Sequence, residues 1–166
     1  MIFDDIQSGD SVFVDANIFV YAFAPEPRLG PSSFRLLERI KQNDIQGYTS
    51  THILSDVAHR LMTLEACATF GWNYAGVVSK LKRHQSLIGQ LTRFRQALAE
   101  IVATGIEVIA IHSQFNLSAA DLSIQHGLLS GDALVLAAMQ FRGLKHLASH
   151  DVDFDRVPGI SRYAPM

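Results

Sequence analysis

Short apolar segments alternate in this chain with longer segments of helical periodicity, and this alternation limits the fold more than any other feature. Strands are expected at 12–14, near 47–50, at 106–111 and near 145–149. Helices are expected at about 32–43, 51–69, 118–128 and 132–141, with one or two more in a helical region at about 73–103. Strands that alternate with helices predict an α/β fold, in which helices cover both faces of a mainly parallel central sheet.

Local signals indicate where some of these helices begin and end. Ser118 and Asp121 have the spacing of a capping box, which predicts that a helix begins there. Gly105 is expected to end a helix as a left-handed cap, and Gly143 to close the last helix. The 166 residues, 48% of them hydrophobic, contain no repeat and no Pro- or Gly-rich linker, so one continuous domain, 1–166, is expected.

The sequence predicts a cytoplasmic protein. Asp4 and Asp5 stand where a signal peptide would have basic and apolar residues. The longest apolar run, 133–139, is far shorter than the roughly 20 residues that cross a bilayer. The single cysteine, Cys67, cannot form an intramolecular disulfide and is expected to be a buried structural residue.

The net charge of −2 gives no overall attraction for RNA, so binding would need a local basic patch or a bound metal.

Acidic residues follow two of the predicted strands. Asp15 comes directly after the strand at 12–14, and Asp151 and Asp153 come after the strand near 145–149. In parallel α/β sheets, sites usually lie beyond the carboxyl ends of the strands. We therefore expect these carboxylates to meet at one edge of the sheet.

Two further aspartates lie in helices. Asp56 stands among the apolar residues of its helix, and Asp132 begins an almost uncharged helix. Each acid has an ordinary explanation when taken alone: Asp15 as a helix cap, Asp56 as a partner of Arg60, and Asp132 as a complement to a helix dipole. Taken together they predict a cluster, because carboxylates near the interior are rare without partners.

A cluster of carboxylates requires positive charge. Two carboxylates about 4 Å apart repel by roughly 4 kcal/mol at an effective dielectric constant near 20. The sequence offers few buried cations near these acids, so a divalent ion is expected to supply the charge. Ligands that are all oxygen favour Mg²⁺ or Mn²⁺ over zinc.

A second arrangement would suit a transition metal. His52, Asp56 and His59 occupy positions i, i+4 and i+7, on one face of their helix. This face indicates an alternative function, a zinc-dependent hydrolase, although no third histidine stands nearby.

The segment from 66 to 99 contains no acidic residue. Five basic residues in it form a candidate patch for RNA phosphates: Lys80, Lys82, Arg83, Arg93 and Arg95. The alternative is a solvated helix face, since the five bases are spread over two helices. Two sets of alternating aromatic residues are expected mainly to pack or to line a cleft: Phe19, Tyr21 and Phe23, and Phe70, Trp72 and Tyr74.

Four short segments resemble the successive motifs of PIN domains, particularly those of VapC-type toxins. They are Val-Phe-Val-Asp-Ala-Asn at 12–17, Ser-Thr-His-Ile-Leu-Ser-Asp at 50–56, Gly-Asp-Ala-Leu-Val-Leu-Ala-Ala at 131–138, and Ser-His-Asp-Val-Asp-Phe at 149–154. They occur in the order of the family and cover nearly the whole chain. The resemblance implies a PIN-like three-layer α/β/α fold and an endoribonuclease that depends on Mg²⁺ or Mn²⁺.

The resemblance also assigns roles to particular residues. The acids that would surround the metal and act in catalysis are Asp15, Asp56, Asp132 and one of the pair Asp151 and Asp153. Asp153 matches the fourth acid of the family best, and Asn17 would position the first carboxylate. The family usually has Glu where this chain has Asp56, so coordination there would become water-mediated. His150 stands where a small polar residue is common, and its role is open.

Partners follow from the same resemblance. It implies the toxin of a toxin–antitoxin pair, with an antitoxin protein as partner, a homodimeric state, and RNA as substrate. The helical region at 73–103 would contact either RNA or a partner protein. The shortened acid at Asp56 and the weak basic charge favour an alternative, a PIN-like RNA- or protein-binding module with little catalytic activity.

Overall fold

Five short strands form one parallel sheet at the centre of the molecule. The computed structural model describes residues 1–166 throughout. The strands are β1 (Ser11–Val14), β2 (Gln46–Ser50), β3 (Glu107–Ile109), β4 (His146–Ala148) and β5 (Ser161–Tyr163). Their order is β3-β2-β1-β4-β5, and every neighbouring pair is parallel.

Seven α-helices flank this sheet. They are α1 (Ala16–Phe23), α2 (Gly30–Lys41), α3 (Thr51–Phe70), α4 (Val77–Arg83), α5 (Arg93–Ala103), α6 (Ser113–His126) and α7 (Ser130–Arg142). Short 3₁₀ helices occur at Phe3–Asp5, Gln85–Gln90 and Val152–Arg156. Helices α6 and α7 pack on each other, as do α1 and α2, and α3 and α5. The parallel sheet with flanking helices confirms the predicted three-layer α/β/α fold.

Most of the predicted elements are present, and two elements were not predicted. Strand β5 was missed because Ser161 and Arg162 give it no apolar run. Helix α1 was missed because it follows β1 without a linker; its first turn is capped by the side chain of Asp15, whose carboxylate accepts a hydrogen bond from the backbone N–H of Ala16. The remaining strands and the left-handed glycines Gly105 and Gly143 agree with the prediction.

The predicted start of one helix is wrong. Helix α6 begins at Ser113, and Ser118 lies in its exposed interior instead of at a capping box. No side chain caps this helix, so its start is decided by packing, which buries Phe115 and Ala119. Helix α7 likewise begins at Ser130, so that Asp132 lies within its first turn.

The interior contains a main core and a small satellite cluster. The main core joins the sheet to α1, α2, α3, α5, α6 and α7 through 36 buried hydrophobic residues. The satellite cluster consists of Ala66, Val77, Leu81 and Leu91 and ties α4 to α3. Cys67 is half-buried at the edge of this satellite cluster, so it is less enclosed than expected.

None of the helices combines the length and the hydropathy that a membrane-spanning segment requires. Helices α6 and α7 reach the required length and composition only as a pair, with a bend of 111° between them.

Gly47 in β2 is expected to be intolerant of any side chain. A Cβ atom at this position would lie 2.7 to 3.0 Å from three side-chain atoms of Ile40, which is buried in the main core. Gly47→Ala should therefore lower the free energy of unfolding by about 2 kcal/mol, as overpacking of cores usually does. Urea denaturation would measure the change. Gly89→Ala is the control, because nothing lies within 4 Å of a Cβ atom there. Ile40→Val removes Cδ1, the nearest of these atoms, so if it costs as much stability in the Gly47→Ala background as in the wild type, the steric explanation is wrong.

Candidate metal centre

The candidate site lies where the two central strands β1 and β4 end. These strands are neighbours, and Val14 is in register with Ala148. The residues that follow them are Asp15 and Ser149, and the backbone N–H of Asp15 donates to the carbonyl oxygen of Ala148 at 3.0 Å. The register of the sheet therefore brings the first and last of the four motifs together.

Asp15 is held in place by three donors. One carboxylate oxygen accepts from the backbone N–H of Ala16 at 2.6 Å. The other accepts from Asn17 Nδ2 at 2.6 Å and from Ser149 Oγ at 2.6 Å. Asp15 is only 9% exposed, and this burial raises the pKa of its carboxyl group. The hydrogen bonds from Ser149 and Ala16 lower the pKa. The carboxylate is thus fixed in orientation and almost shielded from water.

Ser149 and Asn17 connect Asp15 to the acids that follow β4. Ser149 Oγ accepts from the backbone N–H of Asp151 at 3.0 Å and from Asn17 Nδ2 at 3.2 Å. Asn17 Oδ1 accepts from the backbone N–H of His150 at 3.1 Å. Asn17 therefore lies where a residue that positions the first carboxylate would lie. The motif included Ser149, but only the structure shows that its hydroxyl links both parts of the site.

Three carboxylates converge beside this network. Asp132, Asp151 and Asp153 each offer one oxygen, and these oxygens all lie within 4.8 Å of one another. Ligand oxygens about 2.1 Å from an octahedral Mg²⁺ would be roughly 3 to 4.2 Å apart, so a small closing movement would let all three reach one ion. All three residues are partly buried. The set is all oxygen, which suits Mg²⁺ or Mn²⁺.

Burial and the neighbouring acids both disfavour a charge on Asp132. Its pKa is raised to about 6, first by burial and then by the charges of Asp151, Asp15 and Asp153. Arg156 acts in the opposite direction. No hydrogen-bond donor contacts the Asp132 carboxylate, whereas Asp151 accepts from the backbone N–H of Asp153 at 2.9 Å. Asp132 is thus the acid with most to gain from a nearby cation.

Asp56 does not belong to this group of three. Its carboxylate lies 3.6 Å from Arg60, the ordinary pairing that its spacing on the helix allows. The charge of Arg60 also lowers the pKa of Asp15. Arg60 and Arg156 both lie near these acids, but their side chains are 38% and 49% exposed, so neither is a buried cation. The role of Asp56 in catalysis stays a prediction.

The alternative zinc site is not formed. The ligand atoms of His52, Asp56 and His59 do not come within 4.8 Å of one another. His52 and His59 are seven residues apart along α3, a rise of about 10 Å, which is too long for two ligands of one ion. His52 instead points toward the start of α7, with its Nε2 near the backbone of Gly131.

His150 and Tyr21 form a pair on the rim of the site. The Tyr21 hydroxyl lies 3.1 Å from His150 Nδ1, and the rings meet edge to face with centroids 5.7 Å apart. Phe19, in the same alternating set, is fully buried. Tyr21 therefore reaches the site through His150, a contact that no sequence spacing indicates.

The predicted basic patch is divided between two helices. Lys80, Lys82 and Arg83 lie on α4, whereas Arg93 and Arg95 begin α5. Each helix packs on α3. Lys80 lies over the ring of Trp72, 5.4 Å from its centroid, which places an aromatic residue beside the α4 bases. RNA binding by these residues stays a prediction.

Solved structures with this fold include several toxins. VapBC2 from Rickettsia felis, bound to a DNA fragment from its promoter, has 18% identity and a TM-score of 0.57, with 94% of this chain and 99% of that chain covered. VapC20 from Mycobacterium tuberculosis, a toxin that cleaves the sarcin–ricin loop, has 17% identity and a TM-score of 0.60, with 89% and 95% covered. A toxin–antitoxin complex from Klebsiella pneumoniae has 15% identity and a TM-score of 0.54, with 90% and 95% covered.

Comparison of the sequence itself gives the family. A search of curated proteins finds no significant match. The model of the PIN domain family, however, matches residues 12–160, which include all four motifs and the three converging carboxylates. This match spans nearly the whole chain, and the chain belongs to the PIN domain family.

Proposed function

We propose that this protein is a metal-dependent endoribonuclease that hydrolyses RNA phosphodiester bonds and acts as the toxin of a toxin–antitoxin pair. The observation that carries the proposal is the convergence of Asp132, Asp151 and Asp153, in a member of the PIN domain family. The likeness to VapC20, itself a toxin that cleaves the sarcin–ricin loop, supports the choice of substrate class.

The carboxylates have separable tasks in this proposal. Asp132, Asp151 and Asp153 would hold a Mg²⁺ or Mn²⁺ ion, and Asp15 would complete the negative pocket from its fixed position. A divalent ion there supplies charge to stabilise the phosphate and makes a water molecule easier to deprotonate. Ser149 and Asn17 keep Asp15 oriented, and the same Ser149 hydroxyl holds the backbone at Asp151. No side-chain nucleophile is needed.

The partners in this proposal come from the relatives. The Klebsiella pneumoniae structure is a toxin–antitoxin complex, which supports an antitoxin protein as partner of this chain. We further propose a homodimer acting in the cytoplasm. The basic residues of α4 and the start of α5 would contact RNA phosphates.

Cleavage of RNA is the direct test. The purified protein is incubated with structured RNAs in Mn²⁺ or in EDTA, and products are separated on denaturing gels. Cleavage should require Mn²⁺ and should fall by at least about a hundredfold in Asp151→Asn, because loss of one ligand removes a few kcal/mol of stabilisation. The matched control is Asp121→Asn, which removes the same charge from the exposed face of α6. Equal cleavage by both variants would overturn the assignment.

The pairing of Asp56 with Arg60 favours one competing function. If the ion pair with Arg60 keeps the Asp56 carboxylate away from the metal site, the protein would be a PIN-like module that binds RNA or protein with little catalytic activity. The same experiment separates the two functions. If the protein binds RNA but Mn²⁺ induces no cleavage, the binding module is supported. If the protein cleaves RNA in Mn²⁺ over multiple turnovers, the binding module is excluded.

A further inference from the structure

Arg156 places a positive charge directly on the acidic group. Its guanidinium contacts a carboxylate oxygen of Asp153, and its Nε donates to the backbone oxygen of Asp153 at 3.1 Å. The other terminal nitrogen of the guanidinium, Nη1, approaches Gly127, at the end of α6. Because Arg156 also lowers the pKa of Asp132, its charge acts on the acids of both α7 and the 3₁₀ helix at Val152–Arg156.

This ion pair is easily exchanged. The side chains of Arg156 and Asp153 are 49% and 43% exposed, and ion pairs so open to water are weak. The two residues are only three positions apart in one short 3₁₀ helix, so the pair joins no distant parts of the fold. A divalent ion that binds Asp153 would compete with Arg156 for the same carboxylate and would repel the guanidinium.

We propose that Arg156 is a phosphate-binding residue of this site, held by Asp153 in the metal-free protein and released to bind an RNA phosphate when a divalent ion occupies the carboxylates. This inference rests on the proposed ribonuclease function. A guanidinium presents several N–H donors in a plane, which matches the oxygens of a phosphate better than an ammonium does. The hydrogen bond from its Nε to the backbone oxygen of Asp153 keeps the side chain beside the acids, where a phosphate drawn to the ion would lie.

Metal binding tests the first half of the proposal. Mn²⁺ affinity is measured by calorimetry, without RNA, for wild type, Arg156→Gln and Arg142→Gln. Removing a competing positive charge should make Arg156→Gln bind Mn²⁺ about three- to tenfold more tightly. Arg142→Gln should stay within about twofold of wild type, because Arg142 is also a half-exposed, paired arginine but lies in the last turn of α7 and pairs with Glu107. Unchanged or weaker Mn²⁺ binding by Arg156→Gln would overturn the proposal.

RNA binding tests the second half. Fluorescence anisotropy with a short labelled RNA is measured in Ca²⁺, and gels verify that the RNA remains intact. Arg156→Gln should bind RNA about tenfold more weakly than wild type, Arg156→Lys should lie between them, and Arg142→Gln should match wild type. A purely structural role predicts no loss of RNA affinity in Arg156→Gln, and that result would overturn the proposal.

The two failures can be told apart. If wild type binds no Mn²⁺, the ribonuclease proposal itself fails. If wild type binds Mn²⁺ and cleaves RNA while Arg156→Gln keeps full RNA affinity, only the role of Arg156 is wrong. Thermal midpoints in EDTA show whether each variant is folded, and Arg156→Lys retains the charge if the Gln variant does not fold.

Discussion

Replacing Asp132 with asparagine is expected to stabilise the metal-free protein while it abolishes RNA cleavage. The carboxylate of Asp132 is partly buried, accepts no hydrogen bond and faces the charges of Asp151, Asp15 and Asp153. Asparagine has nearly the same shape and no charge, so it removes the cost of burying a charge and also relieves this repulsion. Because the group is only about half buried, we discount the full pKa shift and expect a gain of about 1 kcal/mol at pH 7.5, or roughly 2 to 4 °C in Tm.

The gain in stability should depend on pH in a defined direction. The pKa of Asp132 is about 6 in the folded protein against an ordinary value of 3.8. A raised pKa means that the folded state binds the proton more tightly, so this contribution to stability is complete below about pH 4 and is lost as the pH rises through about 6. The difference between variant and wild type should therefore be small at pH 4.5 and largest above pH 7.

Thermal melts in EDTA from pH 4.5 to 8 would measure this difference. Asp121→Asn serves as the control, because Asp121 is exposed on α6, and its difference from wild type should be nearly constant with pH. Two results would contradict this expectation. In one, Asp132→Asn is less stable than wild type at pH 8; in the other, the difference in stability between the two proteins does not change with pH.

The same substitution should reduce Mn²⁺-dependent cleavage by at least about a hundredfold. It removes a charged ligand from the only group of three acids that the fold brings together. A gain in stability combined with a loss of activity is typical of residues that are kept for function at the expense of stability. If Asp132→Asn loses both stability and activity, its role is structural.

Replacing Glu65 with alanine is expected to cause a large loss of stability. Glu65 lies in α3, is 8% exposed, and binds the first turn of α5. One of its oxygens accepts from the backbone N–H groups of Thr92 at 2.9 Å and Arg93 at 3.0 Å, and the other accepts from that of Phe94 at 2.9 Å. Thr92, the N-cap residue, makes no side-chain cap bond, so Glu65 provides the cap from another helix.

Glu65→Ala should lower the free energy of unfolding by about 3 kcal/mol, since three partly buried N–H groups lose a charged acceptor. Urea denaturation followed by circular dichroism would measure it. Glu65→Gln should cost less, because its amide oxygen can still accept from two of the three donors. Glu100→Ala is the control, since Glu100 is exposed near the other end of α5 and accepts only from Gln96. If Glu65→Ala and Glu100→Ala lower the free energy of unfolding by similar amounts, the cap that Glu65 provides to α5 contributes little.

The general shape of the site follows from the sequence because its parts come from strand ends. Asp15 and the acids at 151 and 153 each follow an apolar strand, and parallel strands end at one edge, so their meeting could be predicted without knowing the register. Asp132 could be included because an acid at the start of an apolar helix stands out. The resemblance to the PIN family motifs then indicated that these acids belong to one site.

Contacts between distant side chains could not be predicted in this way. Arg60 acts on Asp15 and Arg156 acts on Asp132, in each case from an element that is distant in sequence, and only the pairing of Arg156 with Asp153 is local. The absence of acids between 66 and 99 suggested a basic surface, yet Arg93 starts a helix that is capped by Glu65, which stands just before that stretch. Such pairings depend on the packing of helices, which no local pattern encodes.

The satellite cluster of Ala66, Val77, Leu81 and Leu91 has a consequence for how the molecule can vary. Because so few buried side chains secure α4 and the turn after it, this segment can open by itself while the sheet and the carboxylates stay folded. The segment is therefore the part of the chain where insertions, deletions and exchanged surface residues should be tolerated best, so that recognition can diverge while the chemistry is preserved.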